Sequence, residues 1–217
     1  FVQFTYNPDY LKPKKYRNTI SDVDSICNEI NLKTIKSSLI VDGGNVIRAT
    51  DKVIMCDKVF RENRNLTEKA LIKELKNLFE VDQLIFVPWD LNDFTGHADG
   101  MVRFIDSNTV LINDYEEEKE AFQLCFRMSL QNAGLDWIEL PYRPSIEASI
   151  DSARGNYMNY LEMEQAIIVP IFNLESDIDA LKVLHQVFKG KTIKTIECNK
   201  LADEGGILNC ISWNIYK

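Results

Sequence analysis

Hydrophobic and polar positions along the chain repeat one order of elements three times, at a spacing of roughly fifty to sixty residues. Each repeat has two apolar, β-branched runs bounded by polar turn residues, then a stretch with apolar positions three or four apart, then another apolar run. The pattern predicts three ββαβ units, over residues 37–89, 100–142 and 155–198.

The predicted helices have one apolar face each. In the first helix this face carries Leu71, Leu75, Leu78 and Phe79, and in the third it carries Ile178, Leu181, Leu184, Val187 and Phe188. Thr67 stands where an N-cap belongs, and Gly134 and Gly190 stand where C-caps belong. These residues predict where the helices begin and end.

Ahead of the first unit, residues 1–7 predict a strand and residues 21–32 a helix that leads into a strand at Ser37. This is the order expected for the tail of a fourth unit without its opening hairpin. Units this small must stack around an axis to bury their faces. We therefore expect a propeller-like α/β fold in a single domain over residues 1–217. A chain that begins at Phe1 rather than Met also leads us to expect a fragment or a processed product that lacks its N-terminal modules.

Composition narrows the class of protein. With 217 residues, 45% hydrophobic and 27% charged, the chain can form a globular core. No run approaches the roughly 20 apolar residues of a membrane helix, and the N-terminus lacks a signal-peptide pattern, so we expect a cytoplasmic protein with no membrane contact. A net charge of −8, with no basic cluster larger than residues 12–15, argues against nucleic acid as a partner. The sequence leaves a homo-oligomer open.

The cysteines also fit a cytoplasmic protein. The chain has five of them without a CxxC pair, so they form neither an evident disulfide framework nor a zinc knuckle. We expect no metal and no cofactor. Four of the cysteines lie in apolar strand or helix patterns and are predicted to be small buried apolar residues. These are Cys27, Cys56, Cys125 and Cys198.

Three short segments interrupt the hydrophobic pattern and are candidates for function. In the first, Asp42 precedes Gly43 and Gly44 within a strand pattern. Glycine weakens a strand unless a bulge or a close backbone approach requires it. An ordinary bulge and a functional turn both remain open for this segment.

The second segment contains His97 and Asp99. Residues two apart on an extended segment point to the same side, which would bring an imidazole and a carboxylate to one pocket. Histidine is suited to proton transfer near neutral pH, and a carboxylate can orient it. A surface turn is the alternative. His185, the other histidine, lies in a helix pattern and is interpreted as an ordinary helix residue.

The third segment leads through Gly205 and Gly206 to Asn209 and Cys210. A cysteine after a glycine-rich approach, at the mouth of a strand, is typical of a thiolate nucleophile with backbone donors nearby. The alternative is a buried apolar cysteine. Taken together, the three segments favour a catalytic site.

These segments resemble a known family. TGHADGMVRF (95–104) resembles the GHxDxxxRF motif of the agmatine deiminases and Porphyromonas-type peptidylarginine deiminases, which belong to the guanidine-modifying, or pentein, superfamily. DGGNVI (42–47) resembles the family's acidic-Gly-Gly segment, and residues 155–172 together with GGILNCISW (205–213) resemble its closing stretch. The resemblance implies a five-bladed propeller of ββαβ modules with an active site on its axis, of which this chain would contain about three and a half modules.

The resemblance also implies roles for single residues. Cys210 would attack the guanidinium carbon, His97 would protonate the departing ammonia and then activate water, and Asp42 would orient His97. Asp99 would hold the guanidinium by paired hydrogen bonds, which suit a planar cation, and that cation would favour the thiolate. Gly205, Gly206 and Asn209 would contribute to substrate binding.

The implied reaction releases ammonia from agmatine to give N-carbamoylputrescine, a step of polyamine synthesis. Deimination of arginyl peptides, a truncated guanidinium-binding relative without activity, and a thiol amidinotransferase remain alternatives, and the lack of a secretion signal favours agmatine. The chain departs from the family pattern at Asn209, where a histidine is frequent, at Trp213, and at Asp42, where agmatine deiminases carry Glu. It also lacks the Arg-Asp-x-Gly-Pro segment that supplies a second substrate-binding Asp.

Overall fold

The computed structural model describes residues 1–143 and 152–214. The chain divides into two compact units, residues 1–98 (unit 1) and residues 99–217 (unit 2). The single domain expected over residues 1–217 stays a prediction. Among the described residues, no helix has the length and apolar character needed to cross a membrane.

Unit 1 opens with two parallel strands joined by a helix. The elements are β1 (Val2–Thr5), α1 (Val23–Glu29) and β2 (Ile35–Ile40). The Asp22 side chain caps α1 by accepting a hydrogen bond from the Ser25 backbone N–H at 3.1 Å. This strand-helix-strand order confirms the predicted tail of a fourth unit.

The rest of unit 1 is the first ββαβ repeat. Its elements are β3 (Ile47–Arg48), β4 (Lys52–Cys56), α2 (Lys58–Glu62), α3 (Glu68–Phe79) and β5 (Gln83–Val87). Strand β4 pairs antiparallel with β3 and parallel with β5. Thr67 caps α3, as predicted, through a 3.3 Å bond from the Ala70 N–H.

The long strand predicted from Ser37 is divided in two by a 3₁₀ turn at Gly43–Asn45. Its first part is β2, which closes the preceding strand-helix-strand segment, and only β3 belongs to the following repeat. A continuous strand was therefore the wrong prediction here, since the two glycines end one strand before the next begins.

Unit 2 holds the second and third repeats. Its elements are β6 (Val102–Phe104), β7 (Thr109–Asn113), α4 (Glu120–Asn132), β8 (Asp136–Leu140), β9 (Leu161–Glu162), β10 (Ala166–Ile171), α5 (Ser176–Val187), β11 (Thr192–Glu197) and the short α6 (Asn199–Ala202). In each repeat the first two strands are antiparallel, and the third is parallel to the second because a helix connects them. The ββαβ repeat is therefore confirmed.

Each unit has its own apolar core. The core of unit 1 includes Leu39, Val53, Met55, Leu71, Leu75 and Phe79. The core of unit 2 includes Leu111, Leu140, Tyr157, Tyr160, Val169, Leu184 and Phe188. Leu71, Leu75, Phe79, Leu184 and Phe188 of these cores belong to the apolar helix faces that the periodicity predicted.

Helix α5 differs from its predicted face. Ile178 is exposed, and Asp177 is buried instead. The Asp177 carboxylate accepts hydrogen bonds from the Phe172 and Leu174 backbone N–H groups and from the Tyr157 hydroxyl. Burial of this hydrogen-bonded carboxylate turns the neighbouring isoleucine toward solvent.

One of the two predicted C-cap glycines has that role. Gly134 follows α4 with φ +71°, in the left-handed conformation that glycine adopts without strain. At the end of α5, the Phe188 amide closes the last turn onto the Leu184 carbonyl at 2.9 Å. Phe188 is therefore the C-cap, and the prediction for Gly190 was wrong.

Candidate functional site

The turn after β2 presents Asp42 inside unit 1. Asp42 is the N-cap residue of the Gly43–Asn45 turn and is only 2% exposed. Asn45 fastens this turn to β4, because its Oδ1 accepts from the Cys56 N–H at 2.7 Å and its Nδ2 donates to the Cys56 carbonyl at 3.4 Å. The carboxylate is thereby held in a fixed, dry position.

His97 lies in the long loop after β5 and contacts Asp42. The distance from His97 Nε2 to Asp42 Oδ2 is 3.1 Å. The loop is held by Asp93, whose carboxylate accepts from the Thr95 and His97 backbone N–H groups at 2.8 and 3.0 Å. The structure thus brings together the imidazole and the carboxylate that the sequence placed 55 residues apart.

Of the two glycines that follow Asp42, Gly44 is required by the position of the His97 ring. A Cβ atom at Gly44 would lie 2.5 Å from His97 Nδ1, whereas a Cβ atom at Gly43 would meet nothing within 4 Å. The imidazole therefore packs directly against the backbone of Gly44. This is the close backbone approach that the glycines indicated.

A buried lysine, Lys58 on α2, completes the polar cluster of unit 1. Its ammonium lies 3.2 Å from Asp42 Oδ2, 3.2 Å from Glu62 and 3.4 Å from Asp9, and donates to the Thr95 carbonyl at 2.6 Å. The sequence analysis missed this residue. The signal was a lysine and a glutamate four apart on one short helix, a pattern that usually marks solvent-exposed pairs.

Charges in this cluster shift the pKa of its members. Burial raises the pKa of Asp42, but the hydrogen bond from His97 and the positive charges of His97 and Lys58 outweigh burial, so the pKa lies below its ordinary value. Burial lowers the pKa of Lys58, and the surrounding carboxylates outweigh it and raise the pKa. Burial raises the pKa of Glu62. Asp42 and Lys58 are therefore charged at neutral pH.

Unit 2 presents a second polar group, around Asp99. Asp99 is 4% exposed, and its Oδ2 accepts from Asn209 Nδ2 at 2.7 Å. Arg103 on β6 donates to Asn209 Oδ1 at 3.1 Å and to the Tyr160 carbonyl at 3.2 Å. Because a guanidinium has only donors, it fixes the Asn209 amide with its oxygen toward Arg103 and its nitrogen toward Asp99.

Cys210 follows Asn209 and is exposed. Its sulfur lies 3.9 Å from Asp99 Oδ2. Asn159 Nδ2 donates to the same sulfur at 3.2 Å, and Asn159 Oδ1 accepts from the backbone N–H groups of Asn209 and Cys210 at 3.0 and 3.3 Å. Asn159 therefore holds both the turn and the sulfur, a role that the sequence analysis did not assign. Its signal was an asparagine within a tyrosine-rich, apolar segment.

The two glycines before the cysteine have separate structural reasons. Gly205 has φ +89°, in the left-handed region that favours glycine. A Cβ atom at Gly206 would lie 3.0 Å from Cys210 Cβ and 3.4 Å from its sulfur. The glycines therefore allow the turn to form and leave space beside the thiol.

Two local predictions about these segments were wrong. Ala98–Gly100 form a 3₁₀ turn rather than an extended segment, so the alternation argument does not apply to His97 and Asp99. Cys210 lies in a turn rather than at the mouth of a strand. The structure places His97 with Asp42 inside unit 1, and Asp99 with Asn209 and Cys210 inside unit 2.

Most of the remaining cysteines and the second histidine agree with their predictions. Cys27, Cys56 and Cys198 are buried, whereas Cys125 on α4 is exposed, contrary to prediction. Helix α4 buries Phe126 and Leu130, and Cys125 lies on its outer side. His185 is in the last turn of α5. Among the described residues, no group of three or more His, Cys, Asp or Glu side chains is arranged to hold a metal ion.

The arrangement in unit 2 suits a planar cation beside a thiol. A buried carboxylate lies next to an exposed sulfur that has a neutral hydrogen-bond donor, and a thiolate is the nucleophilic form of cysteine. The arrangement in unit 1 suits proton transfer, because a carboxylate is bonded to one nitrogen of an imidazole. Nucleophilic and acid/base chemistry are thus both available in the chain.

Comparison with protein families gives one match over nearly the whole chain. The model of the Porphyromonas-type peptidyl-arginine deiminases matches residues 1–215. The agmatine deiminase of Ectopseudomonas mendocina is 25% identical over 206 residues, which cover 81% of this chain and 55% of that protein. The chain spans 55% to 60% of the length of the curated relatives compared.

Solved structures share the fold. The agmatine deiminase of C. jejuni with substrate bound superimposes with a TM-score of 0.78 at 22% identity, covering 96% of this chain and 66% of that one. The agmatine deiminase of Enterococcus faecalis has a TM-score of 0.79 at 18% identity, covering 97% of this chain and 67% of that one. These similarities confirm the α/β fold of ββαβ modules that the repeat predicted.

Proposed function

Because the chain belongs to the Porphyromonas-type peptidyl-arginine deiminase family, we propose that it carries the nucleophile of a guanidinium deiminase whose substrate is agmatine. The observation that carries the proposal is the 3.9 Å approach of the Cys210 sulfur to the buried carboxylate of Asp99. A carboxylate binds a planar guanidinium, and a thiolate attacks its carbon. The two groups that this reaction needs most are neighbours.

In the proposed reaction, the Cys210 thiolate forms a bond to the guanidinium carbon while Asp99 holds the cation. The carbon–nitrogen bond then breaks, and ammonia leaves with a proton supplied by His97. Water, deprotonated by His97, attacks the same carbon and breaks the sulfur–carbon bond. The products are N-carbamoylputrescine, the regenerated thiolate and ammonium, because ammonia takes up the proton that the hydroxyl of the adduct releases when the carbonyl forms.

The proposal gives the hydrogen-bonded neighbours definite tasks. Asp42 holds His97 by Nε2, which leaves the ring in one orientation. Asn159 donates to the sulfur and so favours its anionic form. Asn209, fixed by Arg103, holds the Oδ2 atom of Asp99 and so orients its carboxylate. Gly206 keeps space beside the sulfur.

Two observations favour agmatine as the substrate. Relatives that bear the name agmatine deiminase match the chain. In addition, two arginines of unit 2 that could bind a substrate carboxylate are paired with carboxylates of the chain, Arg143 with Asp114 and Arg154 with Asp203. Agmatine has no carboxylate and needs no such arginine. We also expect the protein to act as a soluble enzyme on this small cation.

Peptidylarginine deimination is the second candidate, favoured by the description of the matching family. A peptide substrate needs an open site, and Cys210 is exposed. Release of ammonia from agmatine, from free arginine and from an arginyl peptide separates the two candidates. If the peptide is the preferred substrate, the assignment of agmatine is wrong and the assignment of a deiminase reaction still holds.

The test uses the 217-residue chain and a form extended at its N-terminus to the length of its relatives. We expect the extended form to release ammonia and form a ureido product from agmatine, and the Cys210→Ala variant to lose at least about 10³-fold in kcat, since covalent catalysis is removed. The Cys125→Ala variant, which also alters an exposed cysteine, is the matched control. An extended form with no activity on any of the three substrates would refute the deiminase. Binding of agmatine without turnover would then support a guanidinium-binding protein.

A further inference from the structure

Lys58 is the most completely buried charged side chain of unit 1, with 0% of its side chain exposed. A buried ammonium is costly unless all its donors are bonded and its charge is paired. The Thr95 carbonyl, Asp42 and Glu62 receive its three donors at 2.6, 3.2 and 3.2 Å. The ammonium is therefore fully bonded, and two of its three partners are charged.

The cluster around Lys58 holds more negative than positive charge. Three carboxylates, those of Asp9, Asp42 and Glu62, lie within 3.4 Å of the one ammonium. Arg61, half exposed, pairs with the outer oxygen of Asp9 at 3.4 Å. The excess negative charge favours uptake of one more positive charge nearby, and a proton on His97 supplies it.

Asp42 links the lysine to the histidine through a single atom. Its Oδ2 lies 3.2 Å from Lys58 Nζ and 3.1 Å from His97 Nε2, while its Oδ1 is buried without a hydrogen-bond partner. The two nitrogens are therefore within about 6.3 Å of each other. Any change in the charge of Lys58 acts directly on the oxygen that holds His97.

We propose that Lys58 is a positioning residue for His97: it shares the Asp42 oxygen and so sets the pH range in which His97 gains and loses its proton. The inference rests on the proposed function for its catalytic consequence, since His97 is the acid and base there. It goes beyond that function by assigning the control of this proton to a residue on α2.

The described groups around the imidazole agree with this assignment. Besides Asp42, two of them are Asp93, which accepts from the His97 backbone, and Tyr10, whose ring lies edge-on at 6.0 Å and contacts Lys58 Nζ at 4.7 Å. Burial, followed by the charge of Asp42, raises the pKa of the Tyr10 hydroxyl, which stays neutral. Tyr10 therefore adds no charge beside His97, whereas Asp42 and Lys58 are both charged.

The Lys58→Met variant removes the cation and keeps the length of the side chain. Two unit charges about 6.3 Å apart, at an effective dielectric constant of about 20, interact by an energy equal to roughly two pH units. Loss of the cation strengthens the hold of the carboxylates on the proton. We expect the pKa of the Asp42–His97 pair to rise by about one unit or more, and Lys58→Arg to restore it in part.

The measurement is a ¹⁵N NMR titration of the imidazole groups. The chain has only two histidines, and the His185→Gln variant leaves the signal of His97 alone. Arg61→Met is the matched control, because it removes a neighbouring cation of α2 that pairs with Asp9 and not with Asp42. We expect Arg61→Met to shift the titration by less than half as much as Lys58→Met.

A second variant covers the case in which Lys58→Met does not fold. Glu62→Gln removes one of the carboxylates and should shift the titration of His97 to lower pH, opposite to Lys58→Met. Superimposable titrations of the wild type and the folded Lys58 variant would overturn the inference, as would an unchanged titration in Glu62→Gln where the lysine variant is unfolded.

Activity separates this inference from the proposed function. In the form that releases ammonia, the pH profile of kcat/KM should move with the titration of His97. If no form is active, the proposed function fails while the NMR titration still decides the role of Lys58. If activity is present and neither the titration nor the pH profile moves, the inference alone fails.

Discussion

The backbone of Gly44 packs directly against the imidazole of His97. The distance from a Cβ atom at this position to His97 Nδ1 would be 2.5 Å, which real Cβ atoms do not reach. Neither Gly43 nor Gly44 has a positive φ, so an alanine is compatible with the backbone at both positions. Two adjacent glycines therefore differ only in what lies next to them.

We expect Gly44→Ala to displace the His97 ring and lower kcat for agmatine on the order of 10²-fold, since misplacement of a catalytic group by about 1 Å has effects of that size. Gly43→Ala should stay near the wild-type rate, because a Cβ there meets no atom within 4 Å. Steady-state kinetics of the two variants measure the difference. Equal rates for both variants would show that the absence of a side chain at Gly44 is not needed to position the His97 ring.

At the scale of elements, two short turns are held together by one side chain. Asn159 ends the 3₁₀ turn Tyr157–Asn159 and bonds to both backbone amides of the turn that contains Asn209 and Cys210. Since those N–H groups can only donate, they fix the amide oxygen of Asn159 toward them and its nitrogen toward the sulfur. One asparagine thus sets the position of the Cys210 sulfur.

We expect Asn159→Ala to lower kcat by about 10- to 100-fold and to destabilise the fold by about 1–3 kcal/mol. The Asn209 and Cys210 N–H groups lose the side-chain oxygen as an acceptor, although Asn209 keeps the Asn159 backbone carbonyl, and the sulfur loses the amide donor. Val169→Ala, in the core of the same unit, should lower stability to a similar extent and leave kcat near the wild type. Urea denaturation and kinetics test both. A loss of kcat in Asn159→Ala no greater than in Val169→Ala would exclude a positioning role.

At the scale of the whole molecule, buried charges link stability to pH. Burial raises the pKa of Glu62 above its ordinary value. Its contribution to stability is therefore complete below the unfolded-state pKa of about 4.3 and is lost as pH rises through the higher folded-state pKa. The contribution of Asp42 to stability depends on pH in the opposite direction. Because the pKa of Asp42 is lowered, its contribution is present above about pH 4 and is lost on acidification.

We expect the stability of Glu62→Gln, relative to the wild type, to increase as pH rises from about 4 to 7, because the variant has no carboxyl to ionise in the buried cluster. Asp42→Asn should show its deficit at neutral pH, and this deficit should shrink below about pH 4. Free energies of unfolding from urea titrations across this pH range test both signs. A constant difference between Glu62→Gln and the wild type would show that Glu62 does not titrate in this window.

The ββαβ repeats could be predicted from the sequence because each strand and helix carries a local period, and a local period does not depend on distant residues. The boundary near Gly43 could not be placed in advance, since pairing with β1 on one side and β4 on the other decides which part of the chain joins which sheet. The same limit applies to α5, where long-range bonds bury Asp177 and expose Ile178.

The candidate residues of the site were also visible in the sequence, because glycines, a histidine, a cysteine and carboxylates interrupted apolar patterns at few places. Their partners were not visible. Lys58, Asn159 and Arg103 contact residues 16, 51 and 106 positions away, and ordinary surface or core residues have the same local pattern. Only the tertiary structure decided these contacts, because hydrogen bonds between distant segments depend on where the folded backbone places each donor and acceptor.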